Sequence, residues 1–336
     1  VSRPRGFAQW NPKPDTLAVL ADVEGVLARY SEFLPLTARQ IFYALVGTTG
    51  YDKTEKAYAR LCEYLVRARR AQMIPFESIR DDGTTHHDFV KYLGVSNFWE
   101  QMVDHADHYV RDKMADQPVY VELWCEAAGM VPQLERVANR YSIPVYSTGG
   151  FSSVTVTYEI AERALARDRP TVFLHAGDYD PSGESIFDSM TRDSVAFLRN
   201  RMVWEGKKKG WPSGVMDEIQ TGNGGLFVGA IGEAMPEGYP DLRPRRVALT
   251  EEQVEEHDLP TAPAKPTDTR SANWVGETCQ LEAMPPDLLA EVIQEAILSV
   301  LDRDRLEEVW LEEKRERQVA KEQIARLIES GDTEDA

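Results

Sequence analysis

Apolar and polar positions follow two different rhythms along the chain. Residues 16–30 repeat apolar positions at helical spacing, and "FLPLTARQIFYALVG" and "KTEKAYARLCEYLVRARRAQMI" keep that period until the polar turn "RDDGTTHHD". Two helices followed by a turn-rich segment predict a small helical unit of winged-helix type. Residues 93–117 read as a polar, helical connector. From Pro118 the rhythm changes. Short runs rich in β-branched and aromatic residues, "VYVELWC", "PVYST", "TVFLHA" and "RRVALT", are spaced by helical stretches such as "AAGMVPQLERVANRY", "SVTVTYEIAERALARD" and "SGESIFDSMTRDSVAFLRNRM". Strands alternating with helices imply crossover connections and a parallel sheet with helices on its faces. Residues 205–245, rich in Gly and Pro, read as loops with short elements. "LPTAPAKPTDTR" reads as extended, "PPDLLAEVIQEAILSVLD" as an amphipathic helix, and 303–329 as a charged helix before an acidic tail. The expectation is an α/β chain in four parts: an N-terminal arm and winged-helix-type domain over 1–92, a connector over 93–117, a parallel-sheet domain over 118–250, and a mainly helical extension over 251–336.

Composition changes this picture little. The 336 residues are 42% hydrophobic and 28% charged, which suits a water-soluble chain with room for two or three domains. No apolar run approaches the ~18–20 residues of a membrane span, and the first residues lack the basic-then-apolar layout of a signal peptide. Cys62, Cys125 and Cys279 lie far apart without a CxxC pair, so neither a zinc site nor a disulfide framework is indicated. A reducing, cytoplasmic setting is expected, without membrane contact and nucleoid-associated if the source is bacterial.

Charge matters by distribution. The net −18 divides into +2 over residues 1–92, −6 over 93–250 and −14 over 251–336. The acidity is concentrated at the C-terminal end, so a nucleic-acid surface elsewhere stays open.

The candidate chemistry begins with "HAGDYDPSGESI". Asp178 and Asp180 follow the apolar run "TVFLHA" and lead into a helix. In an open parallel sheet, ligands bind beyond the carboxyl ends of strands. Glu126 stands just past the end of "VYVELWC", so three carboxylates from distant positions converge on one sheet edge. Acids that close raise each other's pKa unless a cation sits among them, and hard oxygen donors suit Mg²⁺, with Mn²⁺ as a substitute. Such a centre favours phosphoryl chemistry. The plainer alternative is that the aspartates only cap the next helix. Glu122, on the same face by alternation, competes with Glu126, which is preferred because it ends the apolar run. Glu184 suits either an outer shell or a plain first-turn acid.

A second constellation lies in "LTARQIFYALVG". Thr37 with Gln40 three residues on forms a capping-box pattern. Ile41, Phe42, Leu45 and Val46 share the buried face, and Tyr43 falls about 130° from its middle, as a rim or surface residue. Arg39, four residues earlier, lies on the same side as Tyr43. A guanidinium there can favour a phenolate or brace a phosphate. On the next helix Lys56, Arg60, Arg67 and Arg70 project within about 80° of one another, opposite the face of Tyr58, Leu61, Leu65 and Ala68. A basic stripe of this kind suits a helix approaching a DNA backbone, or a merely solvated face. Lys207–Lys209, Lys265 and Arg270 offer further phosphate contacts.

Glu126, "TGGFSS" and "DYDPSG" in this order resemble a Toprim domain. The DxDPxG form, with Pro181 and Gly183, most resembles the topoisomerase VI A subunit and the meiotic double-strand-break transesterase, with stand-alone Mini-A-like homologues nearest in layout. The resemblance implies a winged-helix domain joined to a Toprim sheet, with Mg²⁺ held by Glu126, Asp178 and Asp180. It also implies DNA cleavage by Tyr43, since "ARQIFYALV" is similar to the family's R-x-I-Y-Y segment, with Phe42 in place of the first tyrosine. The activity implied is Mg-dependent transesterification, of type IIB topoisomerase A-subunit kind, leaving a 5′-phosphotyrosyl link to double-stranded DNA. A homodimer in which Tyr43 of one chain meets the acids of the other is implied too, with a separate GHKL-type ATPase subunit for strand passage. This sequence shows no P-loop of its own. Ala127 departs from the family's Lys after the Glu. Two other readings stand beside this one: a Toprim nuclease using water, and a non-catalytic DNA-binding relative.

Overall fold

A computed structural model of the chain describes residues 8–80, 90–149, 154–167, 169–214, 219, 240–264, 270–271 and 274–331. Three helices open the described chain. α1 (Pro14–Arg29) begins with Pro at its first position, where the missing N–H costs nothing. The short strand β1 (Leu36–Thr37) leads into α2 (Ala38–Thr49), which has the expected capping box: Thr37 Oγ1 accepts from Gln40 N–H and Gln40 Oε1 accepts from Thr37 N–H. Gly50, at φ 68°, ends α2 in a left-handed turn that suits glycine. α3 (Glu55–Arg70) follows with its apolar face inward. β2 (Ile79–Arg80) pairs in parallel with β1. Most of the polar turn after it, residues 81–89, lies outside the described residues.

α4 (Val95–Asp107) is the helix expected in the connector. The principal sheet consists of β3 (Tyr120–Cys125), β4 (Val145–Ser147), β5 (Thr171–Ala176) and β6 (Leu242–Ala248), all parallel, in the order β4-β3-β5-β6. Its helices are α5 (Val131–Ala138), α6 (Val154–Ala166) and α7 (Pro181–Lys209). Pro244 is accommodated because β6 is an edge strand. Beyond it come α8 (Glu251–Glu256), the antiparallel pair β7 (Ala262–Pro263) and β8 (Glu277–Thr278), then α9 (Pro286–Leu298) and α10 (Arg303–Gly331).

The sheet is buried on both faces. Val121, Leu123 and Cys125 pack with α5 and α9, while Trp124 and Phe173 pack with α6 and α7. The first of these cores runs without a break from Leu20 in α1 to Leu306 in α10. α10 lies along the connector through ion pairs, Lys113 with Glu313, Arg111 with Glu316 and Lys321 with Asp107.

Residues 205–209, expected as loop, are instead the last turns of α7. Lys207–Lys209 sit where a helix end favours cations, and Gly210 at φ 69° closes the helix. No helix among the described residues is long and apolar enough to cross a membrane.

Candidate active site

β3 and β5 are adjacent, parallel and in register, with Cys125 opposite Ala176. Residues just past their ends therefore emerge side by side, which is how Glu126 meets Asp178 and Asp180 across some fifty residues of sequence. All three line one cavity of about 520 Å³. Asp180 is the N-cap of α7, its Oδ1 accepting from Gly183 N–H at 2.7 Å. Asp178 Oδ1 accepts from Leu281 N–H at 2.9 Å. Glu126 Oε2 is buried and has no hydrogen-bond partner among the described residues. Gly183 is required by close approach, since a Cβ there would stand 2.3 Å from the Asp178 carbonyl oxygen.

The electrostatics follow from this crowding. Burial pushes the Asp178 carboxyl up to about 7, helped by Glu282, Glu126 and Asp180, while the Leu281 N–H pulls it down. Burial, then the charge of Asp180, also raises Glu126, against the pull of Arg246. Arg246, on β6, is the cation built into this edge. It donates to the carbonyls of Gly177 and Asp178 and lies 3.1 Å from Glu184. Glu184 is thereby committed to Arg246. Burial lowers the Arg246 pKa.

Glu122 is excluded from the cavity. Fully buried, it accepts from Arg163 Nε at 2.9 Å and from Trp124 Nε1 at 2.9 Å, and pairs with Arg167 at 2.8 Å. Its place on the strand sends it under α6, while Glu126 clears the sheet edge.

The three acids share a cavity, but they are not a ready-made ion cage. Among the described residues no group of three or more His, Cys, Asp or Glu side chains is gathered to hold a metal ion. One oxygen of each aspartate is turned to a backbone N–H. The donor chemistry nonetheless suits a hard divalent cation. All donors are carboxylate oxygens, one is buried without a partner among the described residues, and burial, with repulsion between the acids, raises two of them.

Tyr43 lines the same cavity as the acids, within a single chain. It is not the surface residue that helix geometry alone predicts. It is 9% exposed, because residues 278–284 fold back over that side of α2. Its hydroxyl donates to Gln280 Oε1 at 2.6 Å, and Arg39 Nη1 donates to the same oxygen at 2.7 Å. Arg39 thus stands beside Tyr43 as expected and draws its pKa down. Burial outweighs that pull and holds the phenol well above its ordinary value. Lys53, in the turn between α2 and α3, places its ammonium 5.7 Å from the Tyr43 ring centre. The cavity is therefore lined by two cations, Arg39 and Lys53, as well as by the acids.

Of the basic stripe on α3, Lys56, Arg60 and Arg67 are exposed and Arg70 is half-buried. Arg67 pairs with Glu63 at 2.5 Å, and Arg60 lies over the Tyr51 ring. Arg270 lines a shallow hollow with Glu184 and Trp274, next to the start of α7. Lys265 lies outside the described residues, as do Gly150–Ser153 of "TGGFSS".

Sequence reasoning missed Gln280, Arg246 and Lys53. The first two carry no periodic signal, since each acts on backbone or side chains far away in sequence. Lys53 could have been found from the short turn that returns the chain past Tyr43.

The fold and cavity define the class: an α/β protein with a four-stranded parallel sheet flanked by helices and a helical C-terminal region. No protein-family model matches the chain, and no curated protein sequence matches it.

Proposed function

We propose that the protein is a Mg-dependent DNA-cleaving tyrosine transesterase resembling the topoisomerase VI A subunit. The observation that carries this reading is the single cavity lined by Tyr43 and Arg39 together with Glu126, Asp178 and Asp180. In the proposed step the Tyr43 oxygen bonds to phosphorus and the bond from phosphorus to the 3′ oxygen breaks. The phenol proton leaves to solvent and the 3′ oxygen takes a proton from it, giving a 5′-phosphotyrosyl end and a free 3′ hydroxyl. Arg39 and Lys53 offset phosphate charge. Glu126, Asp178 and Asp180 would hold Mg²⁺ or Mn²⁺. A bound divalent ion there supplies charge neutralisation on phosphate oxygens.

The exposed Lys56 and Arg60, with Arg67 and Arg70, lie on the helix that leads away from the cavity, as a duplex-approach surface requires. Cutting both strands calls for two cavities, hence a homodimer, and strand passage calls for a separate GHKL-type ATPase subunit. Both belong to the proposal.

One observation favours a second reading, a nuclease in which water replaces the phenol: the Tyr43 hydroxyl is engaged with Gln280. Incubation with supercoiled DNA and Mg²⁺ followed by denaturing electrophoresis separates the two. A covalent protein–DNA species that disappears in Tyr43→Phe supports the transesterase. Free cut ends that persist in Tyr43→Phe support the nuclease and defeat the first reading. Binding without cutting removes both.

A further inference from the structure

The residues that the proposed chemistry needs are not free. Three consecutive residues of one C-terminal turn hold them. Cys279 forms a two-bond antiparallel bridge with Tyr179, its N–H to the Tyr179 carbonyl at 2.9 Å and the reverse bond at 2.8 Å. Gln280 takes both the Tyr43 hydroxyl and the Arg39 guanidinium on its carboxamide oxygen. Leu281 N–H occupies Asp178 Oδ1. The candidate nucleophile, its cation and one acid are therefore engaged by adjacent residues of one segment.

Each bond opposes the reaction in a definite sense. An acceptor on a phenol O–H stabilises the neutral form that is a poor nucleophile. The guanidinium bonded to Gln280 is the one positioned to brace a phosphate or a phenolate. A backbone N–H on Asp178 takes an oxygen that a cation would otherwise use. The turn itself is well anchored: Leu281 is buried, and Ala283 and Met284 N–H close a helical turn on the carbonyls of Gln280 and Leu281. Cys279 and Leu281 belong to the core, so the part that can move is the half-buried Gln280 side chain between them.

We propose that residues 279–281 form a latch, with Gln280 as its bolt, which keeps Tyr43 and Arg39 engaged until substrate displaces the Gln280 side chain. This inference rests on the transesterase reading, and deepens it by giving the site a resting state. DNA entering the cavity between Arg39 and the acids displaces Gln280, since a phosphate oxygen is the stronger acceptor for the guanidinium.

The test uses the full chain, with two variants that move the latch in opposite directions. Gln280→Leu removes the acceptor, and Gln280→Glu strengthens it. Without DNA, acylation of Tyr43 by N-acetylimidazole is mapped by mass spectrometry against the exposed Tyr158. Gln280→Leu should react about 5-fold faster than wild type, the ratio one hydrogen bond commands, and Gln280→Glu more slowly. With supercoiled plasmid and Mg²⁺, the yield of phosphotyrosyl adduct should follow the same order. Equal acylation in wild type and Gln280→Leu overturns the latch, as does an adduct yield that falls in Gln280→Leu while acylation rises. Acylation in the expected order with no adduct in any chain upholds the latch and defeats the transesterase reading. If Gln280→Leu unfolds, shown by acylation of the buried Tyr141, the decision passes to Gln280→Glu, for which anything but slower acylation counts against the latch.

Discussion

The Glu122 carboxylate and the Arg163 guanidinium meet under α6, Oε1 to Nε at 2.9 Å, with the acid wholly removed from solvent. Arg167 and the Trp124 indole complete the set around Glu122. Breaking a buried pair from one side leaves an uncompensated charge, which costs about 3–5 kcal/mol. Glu122→Ala is therefore expected to lose that much stability in urea titration. Glu126→Gln should lose much less, because only a backbone N–H from Asp178 is at stake there and Oε2 has no partner among the described residues. A large loss in Glu126→Gln would show that the two acids had been assigned the wrong way round.

Asp178 sets a pH dependence with a definite sign. Its carboxyl is raised from about 4 in an unfolded chain to about 7, so the folded state keeps the proton longer. Its contribution is fully present below pH 4 and is lost as pH rises through 7, up to about 4 kcal/mol in all. His175 works the other way. Buried with both ring nitrogens unpartnered, it is lowered to about 3, and its contribution is present above 6.5 and lost as pH falls. Subtracting Asp178→Asn from wild type cancels the histidine. The stability advantage of wild type should shrink steadily between pH 4 and 7.5, and a flat difference would contradict the assignment.

Magnesium should reverse that loss. At pH 7.5 it is expected to raise the unfolding midpoint of wild type, and to do so much less in Asp178→Asn or Glu126→Gln. An equal rise in all three chains would place the ion elsewhere.

Gly183→Ala tests the close packing of the turn. The new methyl would meet backbone, 2.3 Å from the Asp178 carbonyl oxygen, and cannot be relieved by a rotamer change. The first turn of α7 must move, and with it the bond from Gly183 N–H to Asp180. Expected are a destabilisation of about 1–3 kcal/mol by overpacking and a fall in magnesium affinity. Retained affinity in calorimetry would contradict the coupling.

The α3 stripe makes a salt-dependent prediction. Arg60→Ala should weaken DNA binding and reduce the slope of log affinity against log salt by about 0.9, the release expected for one phosphate contact. Arg67→Ala should change it less, because Arg67 is already paired with Glu63. Unchanged slopes in both, measured by fluorescence anisotropy, would remove α3 from the interface.

Much of this architecture was legible in the residue pattern. The two central strands, β3 and β5, announced themselves as short apolar runs because both their faces are covered, and the capping box of α2 reads directly from Thr37 and Gln40. Glu126 and the two aspartates could be placed because a parallel sheet sends successive strand ends to one edge. The environment of Tyr43 could not be read this way. Helical geometry gives the angle of a side chain on its own helix, and what covers it here arrives from residue 280, some 240 positions later. Arg246 was hidden for the same reason, since besides the distant Glu184 its partners are carbonyl groups, which every sequence has.

The unbroken apolar core from Leu20 to Leu306 has a consequence for how such a chain can be handled. Tyrosine-bearing helices and acid-bearing strands are welded into one cooperative body. Fragments cut near positions 92 or 250 would bare greasy faces and clump, not behave as separable modules. Heating should accordingly abolish the cavity and the fold in a single melting event.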